Sequence, residues 1–189
     1  MEKDSLKNML YVLSRFGLYI ALCVFSWIMG STILSGVLGT IGSFVTYILN
    51  DIGLAVNDFD IEENTTLFSF IAWLMTSIPL AAVFADDAKR HTAYRCYNPI
   101  LVAFSTIISA VVFYLPAVVS SYLDDKKAIK FIEMMYYSNQ WLKPLSENLQ
   151  IYAMLCSILN VAICIISYIV ARRVYLRKFE SGEYEYEEE

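Results

Sequence analysis

The chain has 189 residues, of which 58% are hydrophobic, and its mean hydropathy is +0.52. Ordinary soluble domains contain about 45–50% apolar residues, so the composition argues against a soluble globular protein. The formal net charge of −5 comes from 19 acidic and 14 basic residues, and these charges are sorted along the chain and not spread evenly.

Four long segments contain no charged residue and no histidine: 16–49, 65–85, 98–123 and 148–171. Each reaches the roughly 20 residues that an α-helix needs to cross a hydrocarbon core of about 30 Å, and the alternation typical of a membrane β-barrel is absent. We therefore predict an all-α polytopic membrane protein. Residues 1–171 form a four-helix transmembrane domain, with spans at about 16–38, 66–85, 99–121 and 149–171.

The basic residues predict the orientation of the chain. Ten of the 14 lysines and arginines precede the first span, lie between the second and third spans or follow the fourth, and four crossings place these three segments on one face. The positive-inside rule makes that face cytoplasmic. We expect a multi-pass protein of the cell inner (plasma) membrane with both termini in the cytoplasm.

The first apolar segment is longer than one span requires. Its 34 residues would extend about 51 Å as an α-helix, so tilt, an extension beyond the bilayer or a break must absorb the excess; the glycine- and serine-rich stretch 30–43 is the candidate break. Small residues recur there every four positions, which allows helix backbones to approach closely. Three interpretations stay open: packing within the chain, self-association into a homo-oligomer, or a pore-lining segment. The predicted packing or oligomer face consists of Ser31, Ser35, Gly39, Ser43 and Asn160.

Asn160 lies near the centre of the fourth span, where an amide seeks a hydrogen-bond partner on another helix. We predict that it joins helices, either within the protomer or between protomers. The second and third spans contain Pro79 and Pro116, and a proline within a span kinks the helix and frees a carbonyl.

The segment between the third and fourth spans contains an amphipathic pattern at about 126–141. Ile129, Ile132 and Tyr136 share one helical face, while the lysines lie elsewhere. Two interpretations are equally compatible with this pattern. The helix either lies on the outer membrane surface, with Tyr136, Tyr137 and Trp141 at headgroup depth, or forms a lid over the bundle.

The sequence offers no constellation for catalysis, cofactor binding or metal binding. It contains one histidine, His91, and the spans contain no carboxylate, lysine or arginine, whereas such groups usually mark ion-coupled pathways. Three of the four cysteines fall inside spans and one in the cytoplasmic loop, so we expect no disulfide. We expect no enzyme, no cofactor and no metal, although a passive pore with a hydrophobic gate needs no charge.

The C-terminal segment 172–189 is predicted to be a cytoplasmic tail that is basic and then acidic. The basic part matches the anionic inner leaflet, and the glutamates are repelled from it. The acidic part, 180–189, is either a disordered, solubilising end or a docking strip for a soluble protein that also contacts the loop 86–95. The predicted docking residues are Lys89, Arg90, Arg95, Tyr184, Tyr186, Glu187, Glu188 and Glu189.

The overall plan resembles the small membrane subunit of the Kiwa bacterial anti-phage defence system. The shared features are four spans, short loops, both termini inside and a similar length. The resemblance implies a homo-oligomeric inner-membrane scaffold or sensor of phage attack, which recruits a soluble DNA-binding subunit at the cytoplasmic face. It rests on this plan and not on a motif, so it assigns no site residue.

The sequence favours a non-enzymatic, oligomeric sensor or scaffold that recruits a soluble cytoplasmic protein, with the bilayer as its other partner. We expect no direct nucleic-acid binding by this chain. The alternative is an oligomeric passive channel or a small transporter subunit, whose pore would be lined by the hydroxyl groups of Ser31, Thr32, Ser35 and Ser43.

Overall fold

The computed structural model describes residues 2–53, 65–94 and 98–184, and no strand occurs in these ranges. In chain order the elements are α1 (Glu2–Ile28), a π-helix (Met29–Leu38), α2 (Gly39–Asp51), α3 (Thr65–Ala93), α4 (Pro99–Ser120), α5 (Lys126–Met135), a 3-10 helix (Tyr137–Leu142) and α6 (Leu149–Glu180).

Four helices of the described chain are long and apolar enough to cross a membrane, which confirms the predicted all-α class with four spanning helices. They are Leu6–Ile28, Thr65–Ala93, Pro99–Ser120 and Leu149–Glu180. Their lengths of 22 to 32 residues meet or exceed what a bilayer requires. The cytoplasmic orientation of the termini stays a prediction.

Helix α1 begins at Glu2, well before the predicted first span at about 16–38. The apolar part that is long enough to cross a membrane, Leu6–Ile28, includes Arg15, which forms an ion pair with Asp87 of α3. The bounds of the span within this helix stay a prediction.

A π-helix occupies the stretch where a break was predicted. Met29–Leu38 connects α1 directly to α2, so the chain stays helical here and only the type of helix changes, from α to π. Gly30 is buried there, and a Cβ atom at this position would lie 2.7 Å from Ala72 Cβ of α3 and 2.7 Å from Cδ1 of Tyr137. The contact therefore requires glycine.

The chain divides into two compact units. Unit 1 comprises Met1–Leu22, Ser77–Leu115 and Ser157–Glu189, and unit 2 comprises Cys23–Thr76 and Pro116–Cys156. The largest side chains in the interior of unit 1 include Tyr19, Leu80, Phe84, Val102 and Tyr168; the corresponding residues of unit 2 include Phe68, Tyr136, Leu142 and Tyr152.

Small residues occupy the most buried positions of all four long helices. Seven of them have 0% exposure: Ser26 of α1, Ser69, Ala72 and Ala88 of α3, Ser105 and Ala117 of α4, and Ala153 of α6. In lipid, helices associate through close backbone approach because apolar burial between helices gains little. The small residues thus explain how the long helices pack.

The segment that follows α4 forms two short helices and packs against the end of α4. The carboxylate of Asp125 accepts the Lys127 backbone N–H at 2.8 Å and caps α5. Tyr136, only 1% exposed, ends α5, and its hydroxyl accepts the N–H of Ala117, beside Pro116, at 3.2 Å. Tyr136 is buried, whereas Tyr137 and Trp141 are partly exposed, so the surface-helix and the lid interpretations of this segment both stay predictions.

Two segments that were predicted as loop and tail are helical in the structure. Helix α3 continues to Ala93, so 86–93 is helical. Of the rest of the predicted loop 86–95, the structure describes only Tyr94. Helix α6 continues to Glu180 and carries the basic residues from Arg172 to Lys178. Extended helices were not predicted because the charged residues were taken to mark the end of each span.

Candidate functional site

A buried ionic contact joins α1 and α3 in unit 1. The Asp87 side chain is 3% exposed and that of Arg15 is 20% exposed. Arg15 donates from Nε to Asp87 Oδ2 at 2.6 Å and from Nη2 to Oδ1, and the Tyr11 hydroxyl donates to Oδ2 at 2.9 Å. Both carboxylate oxygens therefore receive donors, in the two-pronged geometry that arginine favours.

The only histidine of the chain extends this contact to α6. His91 lies one helical turn after Asp87, and its Nδ1 is 2.7 Å from the hydroxyl of the buried Tyr168. The Tyr11 and His91 rings contact each other at a centroid distance of 5.6 Å, with their planes inclined by 48°. We call Tyr11, Arg15, Asp87, His91 and Tyr168 the Asp87 cluster; it connects α1, α3 and α6 through polar groups.

A second polar contact in unit 1 joins the same three helices at Asn160 of α6. The Ser77 hydroxyl donates to Asn160 Oδ1 at 3.1 Å, and Asn160 Nδ2 donates to the Tyr19 hydroxyl at 3.5 Å. Asn160 is 5% exposed. The structure thus places Asn160 between helices of one protomer, which is one of the two roles predicted for it.

The C-terminal end of α6 folds back on itself. Gly182 has a φ of +77°, a left-handed conformation that glycine adopts readily. The backbone N–H groups of Glu183 and Tyr184 both donate to the Lys178 carbonyl, at 3.0 and 3.4 Å. The chain therefore turns sharply after Glu180, where the sequence predicted a tail.

Tyr184 lies against two lysines and two aromatic rings. Nζ of Lys89 is 5.1 Å from the Tyr184 ring centroid and Nζ of Lys178 is 5.4 Å from it. The Phe179 and Tyr175 centroids lie 5.5 and 6.2 Å from that of Tyr184. We call this arrangement of Lys89, Tyr175, Lys178, Phe179 and Tyr184 the Tyr184 clamp.

The predicted docking residues are partly brought together. Lys89 and Tyr184 meet in the Tyr184 clamp, and Arg90 is 68% exposed and paired with Asp86 at 2.9 Å. The other members of the predicted set, Arg95, Tyr186, Glu187, Glu188 and Glu189, lie outside the described residues.

The predicted small-residue face stays a prediction, because the structure describes only part of it. The side chains of Ser31 and Ser35 lie outside the described residues, Gly39 is buried and Ser43 is exposed. The Ser43 hydroxyl donates to the carbonyl of Gly39 at 3.0 Å, as Thr40 does to Gly36 at 2.7 Å. These hydroxyl protons are used within the helix itself.

Sequence analysis missed the Asp87 cluster. The available sequence signal was the position of its two charged members: Arg15 directly precedes one uncharged run, and Asp87 follows the end of another by two residues. Among the described residues there is no group of three or more histidine, cysteine or acidic side chains placed to hold a metal ion. Cys23, Cys156 and Cys164 are buried free thiols, and Cys96 lies outside the described residues.

No protein-family model, no curated protein and no solved structure matches this chain.

Proposed function

We propose that the chain is a non-enzymatic, oligomeric scaffold or sensor of the inner membrane, which recruits a soluble cytoplasmic protein. The observation that supports this most is the Tyr184 clamp. It joins Lys89 of α3 to Tyr184, which follows α6, and both belong to the docking set predicted from the sequence.

The Tyr184 clamp holds the residue at which the proposed acidic docking segment begins. The ammonium groups of Lys89 and Lys178 both lie near the Tyr184 ring, in the arrangement that cations and aromatic rings favour. The ion pair between Lys178 and Glu183, with an N–O distance of 2.7 Å, closes the same turn. The acidic residues that follow Tyr184 in the sequence therefore begin at a fixed point. A pre-organised attachment lowers the entropy that a partner must remove on binding.

The charges of this surface indicate the chemistry of the partner. The last five residues, "EYEEE" at 185–189, contain four glutamates, so a soluble protein with a basic surface is the complementary partner. Under the plan shared with the Kiwa membrane subunit, that partner would be a DNA-binding protein and the stimulus would be phage attack.

The segment 126–142 is the element that we propose to respond to changes in the cell envelope. It contacts the end of α4 through the Tyr136–Ala117 hydrogen bond and the π-helix through the close approach of Tyr137 to Gly30. A disturbance of this segment would therefore reach the end of α4 and the π-helix directly.

Affinity purification from native membranes tests recruitment. We would compare the full chain, a truncation that lacks 185–189, the Tyr184→Ala variant and the control Tyr122→Ala, whose side chain is 82% exposed and lies in unit 2. The proposal predicts that a soluble basic protein co-purifies with the full chain and the control, and is lost from the other two. If the chain purifies alone in every form, or if the truncation keeps the protein, recruitment through this surface is wrong.

A further inference from the structure

His91, the only histidine of the chain, joins three helices of unit 1. It lies on α3, its Nδ1 is 2.7 Å from the Tyr168 hydroxyl of α6, and its ring contacts that of Tyr11 on α1. The Tyr168 side chain is 1% exposed, whereas His91 is partly exposed. Protons from the surrounding water can therefore reach the imidazole and act on a contact whose other side is buried.

The charged groups that act on His91 belong to two helices. Asp87, one turn earlier on α3, attracts an imidazolium, and Arg15 of α1 repels it. The other two neighbours contribute hydroxyl groups: that of Tyr168 on α6 contacts the imidazole, and that of Tyr11 on α1 donates to Asp87. The cluster around a neutral His91 thus contains one negative and one positive charge.

A proton on His91 would add a second positive charge to this cluster. Both oxygens of Asp87 already accept hydrogen bonds, from the Arg15 guanidinium and from the Tyr11 hydroxyl. The hydrogen bond of His91 goes to Tyr168 and not to this carboxylate. The cluster therefore pairs Arg15 with Asp87 and leaves an imidazolium without a partner of opposite charge.

The hydrogen bond between His91 and Tyr168 also depends on the charge of the imidazole. A neutral imidazole has one nitrogen without a proton, and this nitrogen accepts a proton from a hydroxyl group. An imidazolium donates from both nitrogens, so a hydroxyl that donated to the ring loses its acceptor. The loss is costly for a buried hydroxyl such as that of Tyr168, because little water is available to replace the acceptor.

We propose that the contact between His91 and Tyr168 is a pH-sensitive switch between α3 and α6. The Tyr168 hydroxyl donates to Nδ1 while His91 is neutral; when His91 takes up a proton, this hydrogen bond is lost and the two helices separate here. Histidine changes its charge between about pH 5 and 8, so the contact is complete at the upper end of this range and weakens as the pH falls. The switch goes beyond recruitment, because neither residue belongs to the Tyr184 clamp or to the predicted docking set.

Two measurements between about pH 8 and pH 5 would test the switch in lipid nanodiscs. The chain, purified without a histidine tag and supplied with isotope-labelled histidine, gives NMR signals from His91 alone, which report its charge and tautomer. Nitroxide labels at Arg90→Cys of α3 and Val174→Cys of α6, two exposed positions, report the separation of the helices by pulsed electron paramagnetic resonance. The four native cysteines are replaced by alanine for the second measurement.

The switch predicts that neutral His91 carries its proton on Nε2 and that the label distance increases with the same midpoint at which His91 takes up a proton. For one proton, the ratio of the two states changes by at most about tenfold per pH unit. The matched control is His91→Gln, whose amide oxygen still accepts from Tyr168 and whose side chain has no charge at any pH. Its label distance should not change with pH.

Any of four results would overturn the switch. In the chain that retains His91 they are a neutral imidazole with its proton on Nδ1, an imidazole that keeps one charge throughout the pH range, and a titration of His91 without a change of label distance. The fourth is a pH-dependent distance that persists in His91→Gln. Because the first three need no substitution of His91, the test stays decisive if His91→Gln fails to fold.

Discussion

Replacement of one partner of the Arg15–Asp87 pair should lower the free energy of unfolding more than replacement of both partners. Each side chain lies largely out of water, at 20% and 3% exposure. When one partner of a buried pair is removed, the other is left as an uncompensated charge, typically at a cost of about 3–5 kcal/mol. Replacement of the whole pair by apolar residues is often nearly neutral.

The structure allows a magnitude for each variant. Asp87→Leu leaves the guanidinium without its acceptors, but Arg15 keeps some exposure, so we expect the lower end, about 3 kcal/mol. Arg15→Leu leaves the more deeply buried Asp87 with only the Tyr11 hydrogen bond and should also cost about 3 kcal/mol. The double variant should cost about 2 kcal/mol, because Tyr11 loses its acceptor, which gives a coupling energy of about 4 kcal/mol.

Unfolding in detergent micelles titrated with dodecyl sulfate, followed by far-ultraviolet circular dichroism, would measure these four free energies. The exposed Asp86–Arg90 pair on the same helix is the control, since its side chains are 51% and 68% exposed and its coupling should stay below about 0.5 kcal/mol. Additive effects of Arg15→Leu and Asp87→Leu, within the same 0.5 kcal/mol, would refute the reasoning.

Two further substitutions test unit 2. Gly30→Ala should destabilise the protein by about 1–3 kcal/mol because its Cβ would overlap Ala72 and Tyr137. The control is Gly36→Ala in the same π-helix, which should not destabilise the protein because the new Cβ would meet no neighbouring atom within 4 Å. Equal effects of the two substitutions in the same unfolding assay would contradict the close contact at Gly30. Tyr136→Phe should cost about 1 kcal/mol through the lost acceptor of the Ala117 N–H, and an unchanged stability would show that this hydrogen bond contributes nothing.

The four spanning helices could be predicted because uncharged runs of about 20 residues have few alternatives in a bilayer. The Asp87 cluster could not, since its ion pair joins residues 72 positions apart, and their meeting depends on how α1 and α3 are rotated and placed. The same limit applies to Asn160, whose need for a partner was evident while the partners, Ser77 and Tyr19, were not.

The ends of the helices were harder to predict than their centres. The charges at 86–91 and 172–178 were read as loop and tail, yet α3 and α6 continue through them as helix, because a helix that leaves the hydrocarbon can extend into water with its backbone hydrogen bonds intact. The π-helix at Met29–Leu38 has no distinct sequence signal beyond its small residues. They indicated an irregularity there but not its winding.

The recruitment account depends above all on one prediction, that the charged ends of α3 and α6 face the cytoplasm. Single cysteines at the exposed positions Ser181 and Tyr122, in a chain whose four native cysteines are replaced by alanine, would be labelled with a membrane-impermeant maleimide. The account predicts labelling of Tyr122→Cys in intact spheroplasts, and labelling of Ser181→Cys only after the membrane is permeabilised. Labelling of Ser181→Cys in intact spheroplasts would contradict it.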